Sequence, residues 1–357
     1  MIERRKTRTV DVGGVKIGSD YSISIQSMTK TQTQDVAATL YQVRELEEAG
    51  CEIVRVAVKD TDDAKAIGSI KKEANIPIVA DIHFDYRLAL EAVKRGADKI
   101  RINPGNISSP EDIDKVIDAV GEKNIPIRIG INSGSLMDVV SGQGETSDMM
   151  TASLLIYLEN FQKRDFHNIV ISLKSSSAGA TVEAYKKMAA KCDYPFHVGV
   201  TAAGSPEEGI VKSSVGIGAL LLEGIGDTIR VSLTGDPCQE VYAAKQILSS
   251  CGCRSFGPEI IACPTCGRCQ VDLVPIVKEL EEELTQIAVH SSNDPDKQLI
   301  IAIMGCEVNG PGEAQAADIG IAFGKGKGVI FRQGEVVKTV GVSEAVGELL
   351  KMIKEEI

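Results

Sequence analysis

From residue 20 to about 240, short apolar runs rich in Ile and Val alternate with longer stretches of helical periodicity. The runs fall at 23–29, 51–58, 76–83, 99–105, 125–132, 168–175, 196–204 and 228–234. Between them, stretches such as "VAATLYQVRELEEAG" and "DYRLALEAVKRGA" place apolar residues three and four apart, as a helix packed on one face requires. Repeated strand–helix units imply a parallel sheet. Eight of them in this length predict a closed (β/α)8 TIM barrel, with an open doubly wound sheet as the alternative. The opening "TRTVDVGGVKIG" has the pattern of a hairpin with a Gly-Gly turn, placed to plug the barrel bottom.

The pattern changes near residue 241. A cysteine-rich loop is followed by the acidic helix "VDLVPIVKELEEELTQIA" and the strand "QLIIAIMGC". "ADIGIAFGKGKGVIFRQGEVVKTV" then reads as antiparallel strands with Gly turns, and "SEAVGELLKMIKEE" as a last helix with Ser343 as N-cap. The expectation is two domains: a barrel over residues 1–240 and a small α+β domain over 241–357.

Composition narrows the class. The 357 residues are 43 % hydrophobic and 25 % charged, as in ordinary globular proteins, with a net charge of -11. That acidity is unsuited to non-specific binding of nucleic acid or a membrane surface. No apolar run reaches the ~20 residues of a membrane-spanning helix, and the basic N-terminus lacks the apolar core of a secretory signal. A cytoplasmic protein is expected.

Against this acidity, cations recur late in the strand runs. Arg55, Asp81, His83, Arg101, Asn103, Arg128, Asn132, Ser172, Lys174, His197, Thr201, Arg230 and Ser232 all fall there. Residues two apart on a strand share a face, and late positions in a (β/α)8 barrel point to the catalytic mouth. Five cations converging on one pocket are costly to desolvate unless an anion neutralises them. Guanidinium forks suit phosphate oxygens. The mouth therefore reads as a site for a phosphate or diphosphate ester.

Nine cysteines in a reducing compartment are not a disulfide framework. Cys251, Cys253, Cys263, Cys266 and Cys269 lie within 19 residues, and Cys306 ends an apolar strand. The pair Cys263 and Cys266 suits a metal or an iron–sulfur cluster. The turn in "NGPGEA" would return Glu313 toward Cys306. A structural zinc held by Cys263, Cys266, Cys306 and either Cys269 or Cys253 fits the spacing as well.

The segments "IQSMTKTQTQDV", "VADIHFDYRLAL", "RINPGNI", "NIPIRIGINSGSL", "EGIGDTIRVSL", "ACPTCGR" and "GCEVNGPGEA" resemble, in order and spacing, the bacterial 4-hydroxy-3-methylbut-2-enyl diphosphate synthase family. The resemblance runs from about residue 3 to the C-terminus. It implies a TIM barrel joined to a small domain carrying a [4Fe-4S] cluster held by Cys263, Cys266, Cys306 and Glu313, with Cys269 a bystander. It implies two-electron ring opening and dehydroxylation of 2-C-methyl-D-erythritol 2,4-cyclodiphosphate, a step of the methylerythritol phosphate route to isoprenoids. By the same resemblance the substrate meets Arg55, Asp81, His83, Arg101, Arg128, Asn132, Lys174, Arg230 and Ser232. A catalytic, exchangeable role falls to Glu313. Reduced flavodoxin or ferredoxin would supply electrons to a homodimer whose active site is shared between subunits. One departure stands out: the family reads "VTEAG" where this chain has "VTAAG", with Ala202 in place of a glutamate.

Overall fold

A computed structural model describes residues 2–107, 109–134, 136, 144–287, 298–306 and 317–355, apart from the side chains of 285–287. It divides into two compact units, Met1–Cys253 and Arg254–Ile357.

The first unit opens with the hairpin β1 (Val10–Val12) and β2 (Val15–Ile17), turned by Gly13 and Gly14 at φ 57° and 99°. Eight parallel strands follow: β3 (Ser24–Met28), β4 (Ile53–Val58), β5 (Ile78–Ile82), β6 (Lys99–Ile102), β7 (Ile127–Asn132), β8 (Ile169–Lys174), β9 (His197–Val198) and β10 (Thr228–Ile229). Their order is β8-β7-β6-β5-β4-β3-β10-β9. A parallel bridge between Ile171 and Phe196 joins the two ends. The result is the (β/α)8 barrel expected from the strand periodicity.

Eight helices alternate with these strands: α1 (Val36–Glu48), α2 (Thr61–Glu73), α3 (Tyr86–Lys94), α4 (Pro110–Glu122), α5 (Thr146–Lys163), α6 (Ala178–Ala189), α7 (Pro206–Leu222) and α8 (Pro237–Ser250). All but α5 begin on an Asp or Ser whose side chain accepts a backbone N–H of the first turn. The caps Asp35, Asp60, Asp85, Ser109, Ser177, Ser205 and Asp236 fix where each strand-to-helix loop ends. They thereby fix the rim of the barrel mouth.

The barrel interior is apolar below and polar above. Val10, Val12 and Ile17 of the hairpin pack on Ile53, Val79 and Val170, the inward residues at the base of β4, β5 and β8. The hairpin therefore plugs the bottom. Above that layer the inward positions carry charge.

A boundary at 240/241 would cut α8, whose Val241, Ala244 and Leu248 are buried and which neighbours β3 and α1. The two compact units part instead at Cys253/Arg254. The second unit holds a five-stranded mixed sheet, ordered β11 (Glu259–Ala262), β12 (Ile300–Met304), β13 (Ile319–Gly324), β14 (Lys327–Arg332) and β15 (Glu335–Gly341). The first three strands run parallel and the last three antiparallel. Helices α9 (Leu273–Ile287) and α10 (Ala345–Lys354) cover it, burying Leu280, Leu284, Leu349 and Ile353 on Ile301, Ile303, Ile321 and Phe323. Ser343 is not the cap of α10. It lies within a 3-10 turn over Val342–Glu344, because the chain coming off β15 tightens before the helix begins.

Candidate active site

Strand register brings the sequence-predicted cations into one enclosure. Arg55 pairs across β4/β5 with Val79, Arg101 lies between Asp81 and Arg128, and Asn132 lies opposite Lys174. All point inward on the face that the period of two selects. Asp81, Arg101, Arg128 and Lys174 are buried, while Arg55 and Arg230 keep a small opening to solvent.

Asp81 is the organising carboxylate. Its Oδ1 accepts from Arg101 Nη1 at 3.0 Å, and its Oδ2 lies 3.5 Å from Arg55 Nε. Burial pushes this carboxyl up, but Arg55, Arg101, a hydrogen bond from His83 and the charge of Arg128 outweigh it and hold it well below its usual range. The Nε2 of His83 is 3.5 Å from Asp81 Oδ2, and Asn106 donates to its Nδ1 at 3.2 Å. His83 lies just past the end of β5 and is partly exposed. Arg55 also donates to Met28 Sδ. Opposite this group, Arg230 faces Glu240 at 3.3 Å. Ser232 lies beyond the end of β10, partly exposed at the mouth.

Six cationic side chains, Arg55, Lys99, Arg101, Arg128, Lys174 and Arg230, thus share the barrel interior with the carboxylates of Asp81 and Glu240, Lys99 lying at its base in register with Val79. Burial, opposed by Asp81 and reinforced by Arg230 and Arg101, pulls Arg55 down to about 9. Burial first, then the charges of Arg128, Arg230, Arg55 and Arg101, depress Lys174 well below the normal lysine range. Arg128 and Lys99 are depressed for the same reasons. Several of their donors are buried without a hydrogen-bond partner among the described residues: Lys99 Nζ, Arg101 Nε and Arg128 Nε and Nη1. Cationic donors left over around one space suit an acceptor-rich ligand.

Two glycines make room for these groups. A Cβ at Gly130 would stand 2.7 Å from Ser172 Oγ and 3.1 Å from Arg101 Nε. One at Gly199 would stand 2.4 Å from the Arg230 carbonyl and 2.7 Å from Lys174 Nζ.

His197 departs from the expected mouth position. It opens β9 and pairs in register with Thr228, so it lies deep in the barrel. Burial, then Lys174, Arg128 and Lys99, depress it well below 6.5. It is therefore neutral at physiological pH. Glu240 and Lys99 belong to the enclosure but are absent from the sequence-predicted set. Lys99 shares a face with Arg101 and was legible from the period of two. Glu240 comes from a helix and carries no strand signal. Ala202 stands exposed in the loop after β9 at φ 49°, and no carboxylate occupies that position.

In the second unit the cysteine loop leaves β11 and meets the end of β12. The Cys263 N–H donates to Ile303 O, and the Gly305 N–H donates to Cys263 Sγ at 3.2 Å. A Cβ at Gly305 would lie 2.2 Å from Cys269 Sγ and 3.4 Å from Cys263 Sγ. The Cys269 sulfur therefore crowds the glycine that precedes Cys306, with the Cys263 sulfur in ordinary contact, and Cys306 is itself buried. Cys266 is exposed, one residue after Thr265 at φ 49°. The Cys269 thiol donates to Val271 O at 3.2 Å. Cys251 and Cys253 stand at the C-terminal end of α8. Glu313 and the turn around it lie outside the described residues. Among the described residues no three His, Cys, Asp or Glu side chains are gathered as a metal-ligand group.

Comparison with known proteins places the chain. Residues 7–245 match the family model described as the GcpE TIM-barrel domain, and residues 259–355 match the GcpE protein C-terminal domain. The chain belongs to the GcpE family. Relatives in this family include the 4-hydroxy-3-methylbut-2-en-1-yl diphosphate synthase (flavodoxin) of Clostridium perfringens, 53 % identical over 355 residues and 99 % of each chain. The enzyme of the same name from Thermodesulfovibrio yellowstonii is 51 % identical, over 99 % of this chain and 100 % of its own. Among solved structures, the N-acetylneuraminic acid synthetase of Leptospira borgpetersenii is similar at a TM-score of 0.50 and 12 % identity, over 78 % of this chain and 97 % of its own. That likeness concerns the barrel fold alone. No described helix of this GcpE chain is long and apolar enough to cross a membrane.

Proposed function

We propose that this GcpE-family enzyme converts 2-C-methyl-D-erythritol 2,4-cyclodiphosphate to (E)-4-hydroxy-3-methylbut-2-enyl diphosphate by two-electron ring opening and dehydroxylation. The observation that carries the reading is the cluster of five buried or nearly buried cations, Arg55, Arg101, Arg128, Lys174 and Arg230, with orphaned donors on Arg101 and Arg128. It lies within a chain whose family members bear the synthase name.

The barrel's own residues do the binding. Arg55, Arg101, Arg128, Lys174 and Arg230 take the diphosphate oxygens, and Asn132 and Ser232 at the rim take substrate hydroxyls. Asp81 fixes two of the guanidiniums, so their forks are aimed before the ligand arrives. His83, on the rim and tied to Asp81, is placed to hold a substrate oxygen or pass it a proton. Charge that develops on the diphosphate as the ring opens is met by groups already in place.

The thiol loop fits an iron–sulfur group. The Gly305 N–H already donates to the Cys263 sulfur beside the buried Cys306, and glycine at that position leaves room for the neighbouring Cys269 sulfur. Cys263, Cys266 and Cys306, with Glu313 as the non-thiolate ligand, would hold a [4Fe-4S] cluster. When bound, such a cluster supplies electrons one at a time and a Lewis-acidic iron. Reduced flavodoxin or ferredoxin is the electron donor in this reading. The working form is a homodimer with the active site shared between subunits.

The test is an anaerobic assay of the reconstituted full-length protein with the cyclic diphosphate and a reduced viologen. The expected result is reductant-dependent formation of the linear allylic diphosphate, with loss of most turnover in Cys306→Ser. Substrate binding without any turnover would reject the enzyme reading.

A further inference from the structure

Glu240 stands in the first turn of α8, whose start is fixed by the Asp236 cap and by Pro237. Its carboxylate turns inward, leaving the residue 1 % exposed. Oε2 accepts from Ser27 Oγ at 3.0 Å and from Nε and Nη2 of Arg230 at 3.3 Å each. Oε1 accepts from the Leu233 N–H at 3.1 Å and lies 3.2 Å from Lys30 Nζ. Lys30 donates further to the carbonyls of Leu233, at 2.8 Å, and Gly235. One carboxylate therefore ties β3, the chain leaving β10 and the start of α8 into a single rim segment.

The two cations it meets are used differently. Lys30 is saturated by backbone carbonyls and Glu240, so it has little left to offer a ligand. Arg230 gives Glu240 only one edge of its fork. A guanidinium carries five N–H donors; the remaining donors of this partly exposed residue meet no further partner among the described residues.

A negative charge beside an anion site weakens anion binding by Coulomb's law alone. Its presence here therefore needs a geometric reason. We propose that Glu240 is a positioning residue: it locks the Arg230 guanidinium in the orientation that receives the diphosphate. This rests on the reading of the barrel mouth as the diphosphate site.

Charge and position give opposite signs for Glu240→Gln, which keeps the shape and removes the charge. Charge relief alone tightens anion binding. Loss of positioning weakens it. The experiment is titration calorimetry of full-length protein with inorganic diphosphate, with steady-state kinetics on the cyclic substrate. Glu240→Gln is expected to raise the Kd about tenfold, the loss of one charge-assisted hydrogen bond. KM should rise with it, and kcat should change far less. Arg230→Gln should weaken binding at least as much, and adding Glu240→Gln to it should cost little more. Unchanged or tighter binding by Glu240→Gln, or full additivity with Arg230→Gln, would overturn the proposal. If wild-type protein binds no diphosphate, the reading of the site fails instead. Should Glu240→Gln not fold, Glu240→Asp keeps the charge and withdraws it from Arg230. It is expected to weaken binding several-fold, and wild-type affinity there would overturn the proposal equally.

Discussion

At the scale of single residues, Asp81 decides how a barrel can carry so many inward cations. It is buried, and its two oxygens meet Arg101 and Arg55. Removing one partner of such a pair leaves uncompensated buried charge, which costs about 3–5 kcal/mol. Asp81→Asn should lower unfolding free energy by that amount in urea titrations at pH 7, and inorganic diphosphate should restore part of it. The pH dependence has a definite sign. The folded carboxyl titrates well below its unfolded value, so its stabilisation is present above the unfolded value near pH 4 and is lost as pH falls through the folded value. The variant should therefore lose less stability on acidification than wild type. Equal acid sensitivity in both would mean that the Asp81 pairs are not what holds the site.

At the scale of elements, the strands present the cations and glycines clear space between them. A Cβ on Gly199 would meet a backbone carbonyl at 2.4 Å, an atom that cannot swing away. Gly199→Ala should destabilise the barrel by several kcal/mol, read as a fall in melting temperature. Gly130→Ala meets only side chains, Ser172 and Arg101, so it should keep the fold while displacing Arg101. The same alternation made much of this readable in advance. Apolar runs with late polar residues gave both the barrel and its mouth, because a strand's period of two assigns faces directly. His197 is the second residue of the run 196–204 and the first of β9, so its own place in the run already set it at the strand's beginning rather than at the mouth. Glu240 was missed because a helix residue entering a barrel from its rim leaves no periodic trace. The boundary at 240/241 followed from the start of the cysteine-rich sequence, whereas the eighth barrel helix runs on to Ser250. Glu313 rests on motif resemblance, and the turn that carries it lies outside the described residues.

At the scale of the whole molecule, a chain of net charge -11 sets six of its 39 Lys and Arg side chains inside one barrel. The acidic exterior does not draw polyanions in general, so selectivity falls to the enclosure. The central claim is that this enclosure is completed by the substrate's diphosphate, and proton linkage tests it most directly. In the free protein, burial and mutual repulsion depress Lys174, Lys99 and His197 well below their ordinary values. A bound dianion favours their charged forms, so binding must take up protons, and affinity must fall as pH rises. Titration of the cyclic diphosphate into the full-length protein at pH 8, in buffers of different ionisation enthalpy, measures this uptake. The account predicts net proton uptake on binding, with weaker binding at pH 9 than at pH 7. Binding heats that do not depend on the buffer, with affinity unchanged from pH 7 to 9, would contradict it.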